Sequence, residues 1–232
     1  MQLKSIAFIP DGNRRYAIKA GVSLLESYRM GTEKAWHVLD WLNSYPKIKA
    51  GTFYTLSLEN LQRNKAELKI LFKIFEKELD KVWTTNRFTA NQLRLKFIGR
   101  TQLLPKKLQD KMRKAEEFTE NYKKKVINMA LGYNGQAEII DAAKRLAWDF
   151  KNNAINLASL TEKKFKNYLY SAFPDPDLII RTSGTKRLSG FLTYQSSYSE
   201  LYFVDKYWPE FSEEDLAVAV NEFNDRQRRY GR

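Results

Sequence analysis

Short β-rich runs alternate with helix-patterned segments along the whole chain, and that alternation constrains the fold more than any other feature. The runs fall at residues 5–9, 51–57, 93–98, 126–131 and 178–182, with a weaker one at 201–204. Between them the apolar spacing predicts helices near 31–43, 65–84, 105–122, 136–152, 161–171 and 212–228. In the 65–84 segment, Leu68, Leu71, Phe72, Phe75, Leu79, Val82 and Trp83 repeat at i, i+3, i+4 spacing, one face of a helix. Asn64, with Glu67 three residues on, reads as its capping box. Strand and helix in alternation imply a mostly parallel sheet covered on both faces. The expected architecture is α/β, a single domain over residues 1–232. At this length one core buries roughly 70–75% of the surface of the unfolded chain.

Folds of this type bind ligands beyond the carboxyl ends of their strands, so the strand exits are where chemistry is expected. The first exit reads Pro10-Asp11-Gly12-Asn13-Arg14-Arg15, and the second carries Ser57, Glu59, Asn60 and Arg63. Later exits hold Gly99-Arg100, Gly132-Tyr133-Asn134-Gly135 and Arg181-Thr182-Ser183-Gly184, with Arg187 and Ser189 just beyond. Five of the ten glycines lie in these exits, where they let backbone N–H groups approach a ligand. Arg15, Arg63, Arg181 and Arg187 gather around one early carboxylate, Asp11. Arginine forks and helix N-termini cradle phosphates, and a single carboxylate among them suits Mg²⁺ shared with substrate phosphate oxygens.

Composition removes competing chemistries. Cysteine is absent, which excludes disulfides, thiolate nucleophiles and cysteine metal sites. The one histidine, His37, rules out multi-histidine metal centres. A net charge of +13 favours an anionic partner. That partner could be nucleic acid, a membrane face or a phosphorylated small molecule, and no RNA-binding or helix-turn-helix signature supports nucleic acid. Neither G-x-x-x-x-G-K-[ST] nor G-x-G-x-x-G occurs, so ordinary nucleotide binding is not expected. No targeting segment or 18-residue apolar window is found, so a cytoplasmic protein with an open option of membrane-surface contact is expected.

Several stretches resemble the cis-prenyltransferases, the undecaprenyl diphosphate synthase family. They are IAFIPDGNRRY at 6–16, LSLENLQRNKAE at 56–67, residues 128–139, DLIIRTSGTKRLSGFLTYQSSYSELYF at 177–203 and Arg229-Tyr230-Gly231. The resemblance implies a six-stranded parallel sheet, a hydrophobic tunnel and a homodimer, with residues 198–203 contributing to the interface. It further implies Mg²⁺-dependent elongation of an allylic prenyl diphosphate by isopentenyl diphosphate, with cis double bonds and release of diphosphate. By matching position, Asp11 is expected to hold Mg²⁺ and Gly12, Asn13, Arg14 and Arg15 the allylic diphosphate. Ser57 and Asn60 fall at the reacting centre, with Arg63 beside them. Arg181, Arg187 and Ser189 match the isopentenyl diphosphate site, Glu200 a metal role across the dimer, and Arg229 and Gly231 a reach to the partner's phosphates.

This chain departs from the family pattern at Leu24, Tyr28, Leu61, Thr185 and Gly190. Leu24 and Tyr28 replace two groups expected near the allylic diphosphate, where the adjacent Arg29 is expected to substitute and Tyr28 to line the same substrate site. The departures keep two other readings open: prenyl transfer to a different acceptor such as an alcohol oxygen, and a non-catalytic partner subunit. Retention of Asp11, Asn13, Arg15, Asn60 and Arg181 weighs against the latter.

Overall fold

The computed structural model describes residues 2–171 and 173–226, so Arg229 and Gly231 lie outside the described residues. Strands β1 (Ser5–Ile9), β2 (Ala50–Ser57), β3 (Leu93–Ile98), β4 (Lys125–Tyr133), β5 (Leu178–Arg181) and β6 (Glu200–Phe203) form one sheet. Its order is β3-β4-β2-β1-β5-β6 and every pairing is parallel. All five residues of β1 are buried, as expected of a central strand covered on both faces. Alternate residues serve opposite faces. Ile6 and Phe8 join the large core under the long helices, while Ala7 and Ile9 join a smaller one with Phe191 and Leu192. In the larger core Phe8 stacks on Phe53 at a centroid distance of 4.9 Å.

Helices α1 (Asn13–Ala20), α2 (Leu24–Trp41), α3 (Lys65–Thr84), α4 (Arg87–Asn91), α5 (Lys106–Thr119), α6 (Gly135–Lys151), α7 (Glu162–Lys166) and α8 (Glu213–Asp225) complete the single α/β domain. The α3 boundaries match the periodicity of the sequence. α2 begins seven residues before the predicted start, because Ser23 caps it by accepting from the Glu26 N–H at 3.1 Å. α1 and α4 are too short to display an apolar period, and the segment predicted at 161–171 is helical only over Glu162–Lys166.

The expected capping box on α3 is half formed. Asn64 accepts from the Ala66 N–H at 2.7 Å, but the Glu67 carboxylate turns to Tyr28 and Arg63 instead. Register shifts against β4 fall between Tyr54 and Leu56 and between Leu56 and Ser57, an irregularity at the end of β2 just before its exit. Among the described residues no helix is long and apolar enough to cross a membrane.

A cavity of about 580 Å³ lies between one sheet face and the helices α2, α3 and α5. Phe53, Leu95 and Met129 line it from the sheet, Leu39, Phe75 and Met112 from the helices, and Pro10–Arg15 from its mouth.

Candidate active site

The β1 exit is pinned before it turns into α1. Asp11 N donates to Thr182 Oγ1 at 2.9 Å and Thr182 Oγ1 donates to Asp11 O at 2.7 Å, while Trp208 N donates to the same carbonyl at 3.0 Å. Gly12 follows at φ +105°, a conformation that L side chains rarely adopt, and a Cβ there would fall 2.6 Å from Tyr207 Cδ1. The chain can thus pass Tyr207 and start α1 within one residue, leaving the first N–H groups of that helix beside the cavity.

Two arginines converge on Asp11. Arg181 Nη2 donates to Asp11 Oδ2 at 2.7 Å, and Arg15 Nη2 stands 3.3 Å from Asp11 Oδ1. Arg15 also donates to Ser183 Oγ at 2.6 Å and Ser183 O at 3.3 Å. Burial raises the Asp11 pKa, but hydrogen bonding and charge from Arg181, with Ser183 and Arg15, more than offset it and hold the carboxyl below its ordinary range. Arg181 is buried, its other arm donating to Ser189 Oγ at 2.9 Å and to Arg187 O. Arg187 Nε donates to Ser189 Oγ at 3.3 Å. Arg181 therefore bridges two basic clusters, one at the cavity mouth and one at the β5 exit.

The β2 exit supplies the third side. Asn60 N donates to Ser57 Oγ at 3.1 Å, and Asn60 and Arg63 both line the cavity. Across from them Tyr28 donates to Glu67 Oε1 at 2.6 Å, and Arg63 Nη1 donates to both Tyr28 Oη and Glu67 Oε1 at 3.1 Å. Burial, with Glu67 adding to it, raises the Tyr28 pKa, so the phenol stays a donor. Tyr54 links the exits, donating to Tyr133 O at 3.2 Å and Ser189 O at 3.3 Å.

The structure thus brings Asp11, Gly12, Asn13, Arg14, Arg15, Tyr28, Asn60 and Arg63 to the cavity, with Ser57, Arg181, Arg187 and Ser189 joined to them by hydrogen bonds. Arg29 is elsewhere, on the exposed side of α2, 3.8 Å from Glu26. Glu200 lies on the edge strand with Arg226 at 3.2 Å. Ser183, Thr182, Glu67 and Tyr207 complete the arrangement, and the sequence pattern marks none of them as a site residue. Ser183 and Thr182 stand within the 177–203 motif, Glu67 reads locally as a capping signal, and nothing local marks Tyr207.

Among the described residues no three or more His, Asp or Glu side chains group to hold a metal. A lone carboxylate at an arginine-lined mouth fits a cation such as Mg²⁺ that takes most of its oxygens from a bound diphosphate.

The comparisons agree with this geometry. A family model described as "Putative undecaprenyl diphosphate synthase" matches residues 9–231. The chain is 44% identical over 230 residues to a tritrans,polycis-undecaprenyl-diphosphate synthase (geranylgeranyl-diphosphate specific) of Pyrobaculum aerophilum, covering 98% of this chain and 95% of the relative. It is 43% identical over 230 residues to the Thermoplasma acidophilum protein of the same name, covering 99% and 89%. Lavandulyl diphosphate synthase from Lavandula x intermedia, solved with dimethylallyl diphosphate, superposes with a TM-score of 0.94 at 31% identity, over 100% of this chain and 99% of that one. With a parallel sheet whose exits hold two linked basic clusters above an apolar cavity, the chain belongs to the undecaprenyl diphosphate synthase family of prenyltransferases.

Proposed function

We propose that the chain elongates a long allylic diphosphate, of the geranylgeranyl class named for its relatives, with isopentenyl diphosphate units, releasing diphosphate and making cis double bonds. The observation that carries this reading is Asp11, set between Arg15 and Arg181 at the mouth of an apolar cavity. The allylic diphosphate sits on the Pro10–Arg15 loop and the start of α1, with Arg63 beside it, and its hydrocarbon tail enters the cavity. Isopentenyl diphosphate sits on Arg181, Arg187 and Ser189. As the allylic C–O bond breaks, electrons go to the diphosphate oxygen and the allylic carbon becomes cationic. The terminal CH2 of isopentenyl diphosphate then bonds that carbon, the positive charge passes to the tertiary carbon of the isopentenyl unit, and loss of a proton from the neighbouring CH2 on the diphosphate side restores a double bond.

Fixed arginines and backbone N–H groups stabilise the negative charge on the departing group without reorganising. Mg²⁺, held by Asp11 with substrate oxygens, would neutralise the same charge. The apolar cavity keeps water from the cation. Ser57 and Asn60, hydrogen-bonded to each other, orient the second substrate at the reacting centre.

A homodimer through the β6 edge is part of this proposal. Leu201 on the edge strand β6 and the neighbouring Tyr198 are exposed, and sheet edges are ready-made pairing surfaces; Glu200 then acts in that setting. Peripheral membrane contact is supported by Ile18, 84% exposed beside the cavity mouth and flanked by Arg14, Arg15 and Lys19. The testing experiment is mass spectrometry of products from the purified chain, Mg²⁺, isopentenyl diphosphate and allylic diphosphates of several lengths, with an EDTA control. A ladder in five-carbon steps, longest from the geranylgeranyl starter, is expected. An adduct on an added alcohol, without a ladder, would replace elongation with the altered-acceptor reading.

A further inference from the structure

Gly31 sits inside α2, where glycine weakens a helix relative to alanine. Its neighbours explain why a side chain is excluded. A Cβ at Gly31 would fall 2.2 Å from Asn13 Oδ1 and 3.1 Å from Asn13 Cγ, but 3.3 Å from the nearest atom of Trp208. The severe clash is therefore with the Asn13 carboxamide. One turn earlier on the same helix, the fully buried Ser27 donates from Oγ to Asn13 O at 2.6 Å. Trp208 Nε1 donates to Gly31 O at 2.7 Å, and its backbone N–H donates to Asp11 O, so one tryptophan ties this stretch of α2 to the Asp11 loop.

The carboxamide is held in an unusual way. Asn13 Oδ1 is buried and accepts no hydrogen bond among the described residues, and Nδ2 reaches only Pro10 O at a long 3.4 Å. A buried amide left so poorly paired would rotate toward a better partner unless its surroundings fixed it. Gly31 leaves free the space that Oδ1 occupies, and Ser27 holds the Asn13 backbone through its carbonyl.

We propose that Gly31 is a positioning residue for prenyl transfer: with Ser27 it forms a socket on α2 that holds the Asn13 carboxamide toward the allylic diphosphate. The inference rests on the proposed reading of the Pro10–Arg15 loop as the allylic diphosphate cradle. The socket trades helix propensity for the placement of one amide. Filling it with a single methyl group displaces that amide while leaving the sheet and the arginine clusters in place.

The test uses the full chain as wild type, Gly31→Ala, Asn13→Ala and the double variant. Calorimetric titration with a non-reactive geranylgeranyl thiolodiphosphate is read beside melting temperature and steady-state kinetics. Gly31→Ala is expected to melt within a few degrees of the wild-type temperature, because helix propensity offsets the displaced amide, to bind the probe about tenfold more weakly and to lose about tenfold in kcat. KM for isopentenyl diphosphate should stay within about twofold. In the Asn13→Ala background the same substitution should change probe affinity less than about twofold, because the atom it displaces is gone.

A tenfold loss that persists without Asn13 would assign Gly31 to packing against Trp208 and overturn the proposal, as would an unimpaired Gly31→Ala. If Gly31→Ala fails to fold, the double variant decides: folding restored by removing the Asn13 side chain supports the socket, and failure in both refutes it. A wild-type chain that neither binds the probe nor transfers prenyl groups would refute the functional reading itself, a result separate from any difference between variants.

Discussion

Arg181 Nη2 and Asp11 Oδ2 stand 2.7 Å apart, joining the exits of two neighbouring strands, β5 and β1. The arginine is nearly enclosed, with a side chain 5% exposed, whereas the Asp11 side chain is 29% exposed. The two partners therefore differ in what they require, since Arg181 needs a counter-charge and Asp11 keeps an open side for a cation. Replacing Asp11 with Ala leaves a buried guanidinium with Ser189 and the Arg187 carbonyl as its acceptors among the described residues. We expect a stability loss of about 1–2 kcal/mol, below that of a fully buried pair because Asp11 is partly solvated. Activity should fall at least ~100-fold, the scale of removing one charge-stabilising group from an active site. Denaturant melts and initial rates read the two effects separately, and an Asp11→Ala enzyme of wild-type rate would end the metal-holding role.

The same pair predicts acid behaviour. Hydrogen bonding and charge from Arg181, with Ser183 and Arg15, hold the Asp11 carboxyl below the ordinary aspartate range despite its burial. A depressed carboxyl adds stability that is present above its unfolded pKa and is lost as pH falls through the folded value. Asp11 stays charged throughout mild acid, so its titration should not shape the rate profile above about pH 5. A comparison of wild-type stability with Asp11→Asn from pH 6 downward checks the sign: the wild-type advantage should shrink only below the ordinary aspartate range.

Tyr28, Glu67 and Arg63 form a closed triangle of hydrogen bonds on the cavity wall. The Glu67 carboxylate fixes the guanidinium of Arg63, and the Tyr28 hydroxyl fixes both. Tyr28→Phe removes two of the three hydrogen bonds, worth about 1–2 kcal/mol together, and should raise KM for the allylic diphosphate about fivefold with little change in KM for isopentenyl diphosphate. Glu67→Gln should do likewise. The two together should cost less than the product of the separate effects, since they act through one guanidinium. Full additivity would show that Arg63 is held by something else.

Lys125 opens β4 at the end of the sheet away from the exits, 2% exposed, and donates to Tyr45 O at 2.7 Å and Ile48 O at 2.6 Å. Burial, with Lys49 and Lys124 close by, pulls its pKa down from 10.5 to about 8. Between those values the unfolded chain binds the extra proton, so this group makes stability rise with pH, by at most ~3 kcal/mol. The neutral amine still donates to both carbonyls. Lys125→Met should remove the rise and cost about 2 kcal/mol at neutral pH by stranding two acceptors. Urea melts at pH 7 and pH 9.5 test it, and an equal wild-type-to-variant gap at both would reject the shift.

The sheet was legible because its central strands are continuous apolar runs bounded by Gly and Pro, a pattern that survives in one dimension. So was α3, where twenty residues carry an unbroken apolar face. α1 was hidden because its first residues, Asn13 to Arg15, are spent on the site and only Ala17 is fully buried. Among site residues, Asp11, Asn13 and Arg181 were readable from strand exits. Ser183 as the partner of Arg15, and Trp208 as the tie between α2 and the Asp11 loop, join residues more than 160 positions apart, which no local pattern encodes. The diversion of Glu67 from cap to triangle shows the same limit: a local motif yielded to a charged neighbour that only the tertiary fold supplies.

The inner end of the cavity carries the last prediction. β3 runs from Leu93 toward the exits, so Leu95 and the α4 residue Phe88 lie at the end remote from Asp11. Phe88 is 1% exposed and meets the Trp36 ring edge-on at 5.8 Å, and Trp36 in turn donates to Glu78 Oε2 at 2.5 Å across to α3. This wall is packed on its far side, so a growing chain that reaches it can proceed only by displacing core side chains. Phe88→Ala removes the ring and should cost about 3–5 kcal/mol in stability. It should also lengthen the longest product by at least one five-carbon unit. Leu95→Trp adds bulk from the sheet side at a cost of about 1–3 kcal/mol and should end the ladder earlier. Mass spectrometry of the two product ladders beside wild type gives the answer. Opposite displacements place the terminating wall at Phe88 and Leu95, whereas two unchanged end points would mean that the chain stops short of them or leaves by another side.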